Sequence, residues 1–129
     1  MKKIVVSLCV LVTLGLQAGD IASDMKTMRD GLQEMQDGFL YNNSKSVVSG
    51  IDKIEKVNGS FNTKESIESF LPQDKKKLVG VTLLSAKSLN SDLEAMREYI
   101  KQNKMLEAAA LHSDVMKDCT RCHAIVRGW

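Results

Sequence analysis

Residues 21–39 read IASDMKTMRDGLQEMQDGF. Within them Ile21, Met25, Met28, Leu32, Met35 and Phe39 recur at steps of four and three, the spacing that lines one face of an α-helix. Asp20 stands before the stripe as an N-cap, and Asp24 places negative charge in the first turn, where the helix dipole favours it. Asn42, Asn43 and Ser44 read as a turn. Val47, Ile51 and Ile54, with Val57 beyond, define a second helix ending near Gly59. Residues 59–72 are the least regular part; Asn62 with Glu65 reads as a capping box for a short extra helix carrying Ile67, Phe70 and Leu71. Pro72 starts the third long helix, with Leu78, Val81, Leu89, Met96 and Ile100 facing inward. Asn103 marks the next turn, and the fourth long helix runs from about Lys104 to near Arg127.

Composition agrees with that reading. The 129 residues are 43% hydrophobic, 26% charged and only 5% aromatic, with one proline. This excludes disorder and a polytopic membrane protein, and disfavours a β-sandwich or barrel. The expected fold class is all-α, four helices joined by short loops in an up-down-up-down bundle. No repeat or linker divides the chain. No Gly-rich phosphate loop, catalytic triad or paired-carboxylate site is visible, so an enzyme is not expected.

The first residues read as an export signal. Lys2 and Lys3 form a basic start, and Ile4 to Leu16 is apolar but short for a bilayer span. Leu16-Gln17-Ala18 is an acceptable cleavage site, which makes residues 1–18 the signal peptide and 19–129 the mature domain. Cleavage takes two of the 18 basic residues, leaving 16 against 16 acidic ones. That neutrality disfavours nucleic acid or an anionic membrane surface as partner, and no stable membrane anchor remains. The run Lys75-Lys76-Lys77 reads as the solvated start of a helix.

Cys9 leaves with the signal, so the exported domain keeps two cysteines, in Cys119-Thr120-Arg121-Cys122-His123. C-x-x-C-H is the covalent attachment motif of c-type haem. Two thiols on one helical turn add across the two vinyl groups of one porphyrin, and His123 then offers a neutral ring nitrogen to the iron. Other readings of the motif are a thioredoxin-type disulfide, a zinc site with His112, and a structural disulfide. The first lacks a βαβ pattern, the second places Cys122 and His123 awkwardly for one tetrahedral ion, and the third closes too short a loop to gain much.

An up-down-up-down bundle puts the start of helix one at the same end as the finish of helix four. The haem is therefore expected at the end holding both termini, with a sixth ligand from the first turns of helix one. Met25 is there; Met28 lies deeper by about 4.5 Å and Met35 by about 15 Å. Met25 ranks first and Met28 second, with ordinary core packing as the alternative for each methionine. His112 shares a helix with His123, about three turns back, and does not easily reach the opposite face of the haem.

The segment Gly19 to Asp30 resembles the start of cytochrome b562, a periplasmic four-helix-bundle cytochrome. Asp20, Met25, Thr27, Asp30 and Leu32 match, as do His123 and Arg127 at the other end. The resemblance implies Met25 as axial ligand and Arg127 as the terminal arginine, near enough to pair with a haem propionate. Cys119 and Cys122 depart from that family, which binds haem non-covalently. They resemble instead cytochrome c-prime, a bundle of the same architecture whose sixth site is usually open to small gases; Arg29 resembles its haem-side arginine more loosely. Both families imply one fold and disagree about the sixth position. Arg121 is expected to point outward and Trp129 to fray or cover a haem edge. The function expected is that of a periplasmic monohaem c-type cytochrome that passes single electrons between redox proteins, as monomer or homodimer. The alternative is a gas-binding haem protein with an open sixth site for NO or CO.

Overall fold

Asp20 caps the first helix as expected: its carboxylate accepts from the Ala22 N–H at 3.2 Å. The computed structural model describes residues 20–128; the leader at 1–18, its junction with Gly19, and Trp129 lie outside the described residues. Five α-helices and no strand occur among the described residues: α1 (Ile21–Leu40), α2 (Ser44–Asn58), α3 (Lys64–Phe70), α4 (Val79–Lys101) and α5 (Met105–Arg127). None is long and apolar enough to cross a membrane. The turns after α1 and α4 fall at Asn42 and Asn103, whose φ values of 51° and 57° lie in the left-handed region that asparagine tolerates. Asn43 then caps α2, accepting from the Ser46 N–H at 3.2 Å.

Three sequence expectations shift. The cap of the short helix is Thr63, not Asn62: the Thr63 hydroxyl accepts from the Ser66 N–H at 3.1 Å. Asn62 is drawn away, accepting from Asn90 Nδ2 on α4 at 3.1 Å. Pro72 does not open α4 directly. Gln73–Leu78 first wind as a 3₁₀ turn, and the α-helix begins at Val79. The mostly exposed residues 73–77 have little apolar surface to bury, and regular winding starts where Val79 meets the core. The buried face of α4 therefore runs through Val79, Thr82, Ala86, Leu89, Leu93 and Met96, and Val81, expected inside, is 45% exposed.

The main core joins Met35, Val47, Ile51, Ile54, Leu89, Leu93 and Met96 to Ala108 and Val115 of α5. Full burial of one such aliphatic side chain contributes about 1.5–3 kcal/mol. A smaller cluster of Ile67, Leu71 and Val79 sits under Phe61 and Phe70. Between α1 and α2 the backbones themselves touch. A Cβ on Gly31 would meet the Gly50 carbonyl at 2.8 Å, and one on Gly38 the Val47 nitrogen at 2.7 Å. Gly31 lies beside Ile54 and Gly38 beside Val47, so the two helices run antiparallel. On the surface Lys53 meets Glu34 at 2.6 Å, and Arg97 bridges Asp52 and Glu55 at 2.7 and 2.6 Å. Exposed pairs of this kind are worth about 0–1 kcal/mol each and mainly fix which faces meet.

Candidate functional site

The last turns of α5 carry Cys119, Cys122 and His123. Positions three and four apart share a helix face, so the two thiols and then Val126 point the same way. The helix ends where Gly128, at φ 75°, turns left-handed and its N–H bonds the Ala124 carbonyl. Facing α5, the first turns of α1 present Met25, Met28, Arg29 and Leu32. These residues, with Thr82, Ser85 and Leu89 of α4 and Asn58 at the end of α2, line a cavity of about 660 Å³. Cofactor sites occupy roughly 300–1,000 Å³. Phe61 and Phe70 close one side.

The wall is apolar for a reason. Thr82 and Ser85 each donate their hydroxyl hydrogen to their own helix, to Leu78 O at 3.0 Å and Val81 O at 3.2 Å. Both Asn58 amide hydrogens are also spent, on Ala86 O and Asn90 Oδ1 at 2.8 Å each. The charged side chains lining the cavity are Arg29, Arg127 and one buried acid, Asp118.

That environment sets the protonation of the motif. Burial, helped by the Asp118 charge and by Cys122, pushes the Cys119 thiol up to about 11, and burial raises Cys122 as well. Both are free thiols, fully protonated at neutral pH. Redox-catalytic cysteines need the opposite, a depressed value that keeps the thiolate populated. Burial and the nearby Arg127 charge hold His123 below its usual value, so its imidazole is neutral at physiological pH. A neutral imidazole keeps a lone pair for a metal.

The structure thus gathers Met25, Met28, Arg29, Cys119, Cys122, His123 and Arg127 around one cavity. Met35 is fully buried in the main core and takes no part. His112 sits on the α1–α5 seam, its ring edge-on to Phe39 at 6.1 Å between centroids, and does not line the cavity. It is hydrogen-bonded to the Leu32 backbone, and its Nε2 is buried with no partner. Arg121 points outward and pairs with Asp118 at 2.9 Å. Among the described residues no group of three His, Cys, Asp or Glu side chains is placed to hold a metal ion.

Sequence reading missed three polar residues of the wall whose donors are spent inside the protein. Asn58, Thr82 and Ser85 carry no motif, and their roles come from α2 and α4 meeting. It also missed that Asp92 of α4 and Asp118 of α5, far apart in sequence, bring two carboxyl groups into contact.

The donor set suits a c-type haem: two thiols three residues apart, a neutral imidazole beside the second, thioethers on the facing helix, an apolar wall and two guanidinium groups. Comparison with protein-family models, curated proteins and solved structures finds no match.

Proposed function

We propose that the chain is an exported, monohaem c-type cytochrome that carries single electrons. The observation that carries this reading is the C-x-x-C-H face of α5 opening onto an apolar cavity opposite two thioethers of α1. Cys119 and Cys122 tether the haem covalently, and His123 supplies the proximal nitrogen. Met25 supplies the distal ligand, with Met28 as second choice. The haem iron contributes the one-electron ferric–ferrous couple, and a thioether ligand raises its potential by favouring the ferrous form. Arg127 balances a propionate by a charge-assisted hydrogen bond, while Arg29, which lines the same cavity, is paired with Asp30 at 2.8 Å. The apolar wall keeps water away and so limits reorganisation on electron transfer. In this reading the four long helices form an up-down-up-down bundle with the haem at the end that holds both termini. The signal peptide at 1–18 sends the protein to the periplasm, where its partners are redox proteins.

The test is the visible spectrum of the dithionite-reduced protein, matured in a periplasm with c-type haem assembly. Sharp, resolved α and β bands are expected, and Met25→Ala should convert them to a high-spin spectrum. A single broad band in the parent, or an unchanged spectrum in Met25→Ala, overturns the Met25 assignment. The broad band moves the reading to a gas-binding protein with an open sixth site. Protein without covalent haem overturns the cytochrome reading altogether.

A further inference from the structure

Asp118 is 3% exposed and lines the cavity. Its Oδ1 accepts from Arg121 Nη1 at 2.9 Å, and its Oδ2 is buried without a donor. Across the α4–α5 seam, the Asp92 carboxyl is in hydrogen-bonding contact with it. Two ionised carboxylates offer each other only lone pairs, so the orphaned oxygen is satisfied when one proton sits between them.

We propose that Asp92 and Asp118 form a proton-binding site that holds one proton across the α4–α5 seam and exchanges it with the charge state of the cavity. From α5, Asp114, Lys117 and Arg121 act on the pair. Arg29 of α1 and Arg127 share the cavity with Asp118. Burial, followed by the Asp118 charge, holds the Asp92 carboxyl above the ordinary carboxylate value; Asp114 adds to this and Arg121 opposes it.

The coupling rests on the proposed one-electron function. An electron delivered by a donor protein adds one negative charge near Asp118, and uncompensated charge is costly in a weakly screened interior. The pair then takes one proton from solvent, forming one O–H bond on a carboxylate oxygen. When the electron leaves to an acceptor protein, that bond breaks and the proton returns to solvent. One electron and one proton move together, with no other bond changed.

The experiment compares the mature holoprotein with Asp92→Asn and Asp118→Asn by two readouts. The first is the thermal midpoint against pH. A carboxyl whose folded value is raised stabilises most below its unfolded value of about 3.9, and loses that stability as pH rises through the folded value. Asp92→Asn, whose amide donates to Asp118 without needing a proton, is therefore expected to melt a few degrees higher at pH 7, with the gap closing near pH 4. The second readout is the midpoint potential against pH. The parent should fall with a slope of up to about 59 mV per pH unit, the one-electron equivalent of a tenfold change, and both variants should be flat over the same interval. Equal melting profiles in parent and variants overturn the proton site. A melting gap with a flat parent potential overturns the coupling. A melting gap in protein that carries no haem overturns the proposed function and leaves the proton site standing.

Discussion

α1 borders two neighbours on opposite terms. Toward α2 it offers glycine, and the backbones meet with no room for a Cβ at Gly31, Gly38 or Gly50. Toward α5 it offers methionine at Met25 and Met28, and the helices stand far enough apart for a cavity. Glycine inside a helix costs about 1 kcal/mol against alanine, so three of them along one seam are retained for closeness rather than helix strength. On the other side, flexible thioethers border space they do not fill. The difference teaches that the α1–α2 pair is the rigid half against which the cavity is held open.

The largest test of this contrast pairs two methionines of one helix. Met35→Ala empties a fully buried position and should cost about 2–5 kcal/mol. Met28 is only partly buried against the main core and also borders a cavity already present, so Met28→Ala should cost less, about 1–2 kcal/mol, in the same urea titration. Equal losses would mean that the α5 side is packed as tightly as the α2 side. Next comes the glycine seam. A Cβ at Gly50 would collide with the Gly31 carbonyl and lie 2.8 Å from the Met35 nitrogen. Both are backbone atoms and cannot swing aside. Gly50→Ala should therefore destabilise by about 2 kcal/mol even after its gain in helix propensity. Gly80→Ala, where nothing lies within 4 Å, should be neutral or stabilising. A stabilised Gly50→Ala would break the argument for contact.

The smallest effect lies on the seam between α1 and α5. Burial holds the His112 imidazole below its ordinary pKa, so the folded protein binds fewer protons there than the unfolded chain. Its contribution is complete above the unfolded value of about 6.5 and is lost as pH falls below it. Unfolding free energy measured from pH 7 to pH 5 should decline less steeply in His112→Gln than in the parent. Parallel slopes would remove His112 from the acid sensitivity.

Where a helix reads its own periodicity, the sequence was legible. The Ile21–Phe39 stripe, Asp20 as cap, and the run Val47, Ile51, Ile54 and Val57 all name real helices. Legibility failed where two capping residues stand side by side. Asn62 and Thr63 are equally able to cap, and the choice was made by Asn90, 28 residues away. It failed again at Val81, because a six-residue 3₁₀ turn after Pro72 delays the helix and shifts its phase. The motif residues and the α1 stripe meet at one cavity, a juxtaposition the sequence suggests because C-x-x-C-H is local and its partner stripe is periodic. Nothing local in the sequence marks Gly31, Gly38 and Gly50 as points of backbone contact, or pairs Asp92 with Asp118. Their meaning lies in pairs of helices, which no window of sequence contains.

Residues 59–78 leave α2 and enter α4 beside the same cavity, with Asn58 and Thr82 both on its wall. Both ends are therefore fixed while the middle, from Phe61 to Phe70, reaches over one side. Ile67 and Leu71 anchor this stretch on Val79, and Asn62 is bonded to Asn90, but lengthening its exposed part is entropically cheap. Insertion at its exposed positions 62–65, away from buried Ile67 and Leu71 and from the 3₁₀ turn that sets the phase of α4, can resize the entrance, change its polarity or add a cover. Evolution, or an engineer, can retune this molecule's access to solvent by chain length alone.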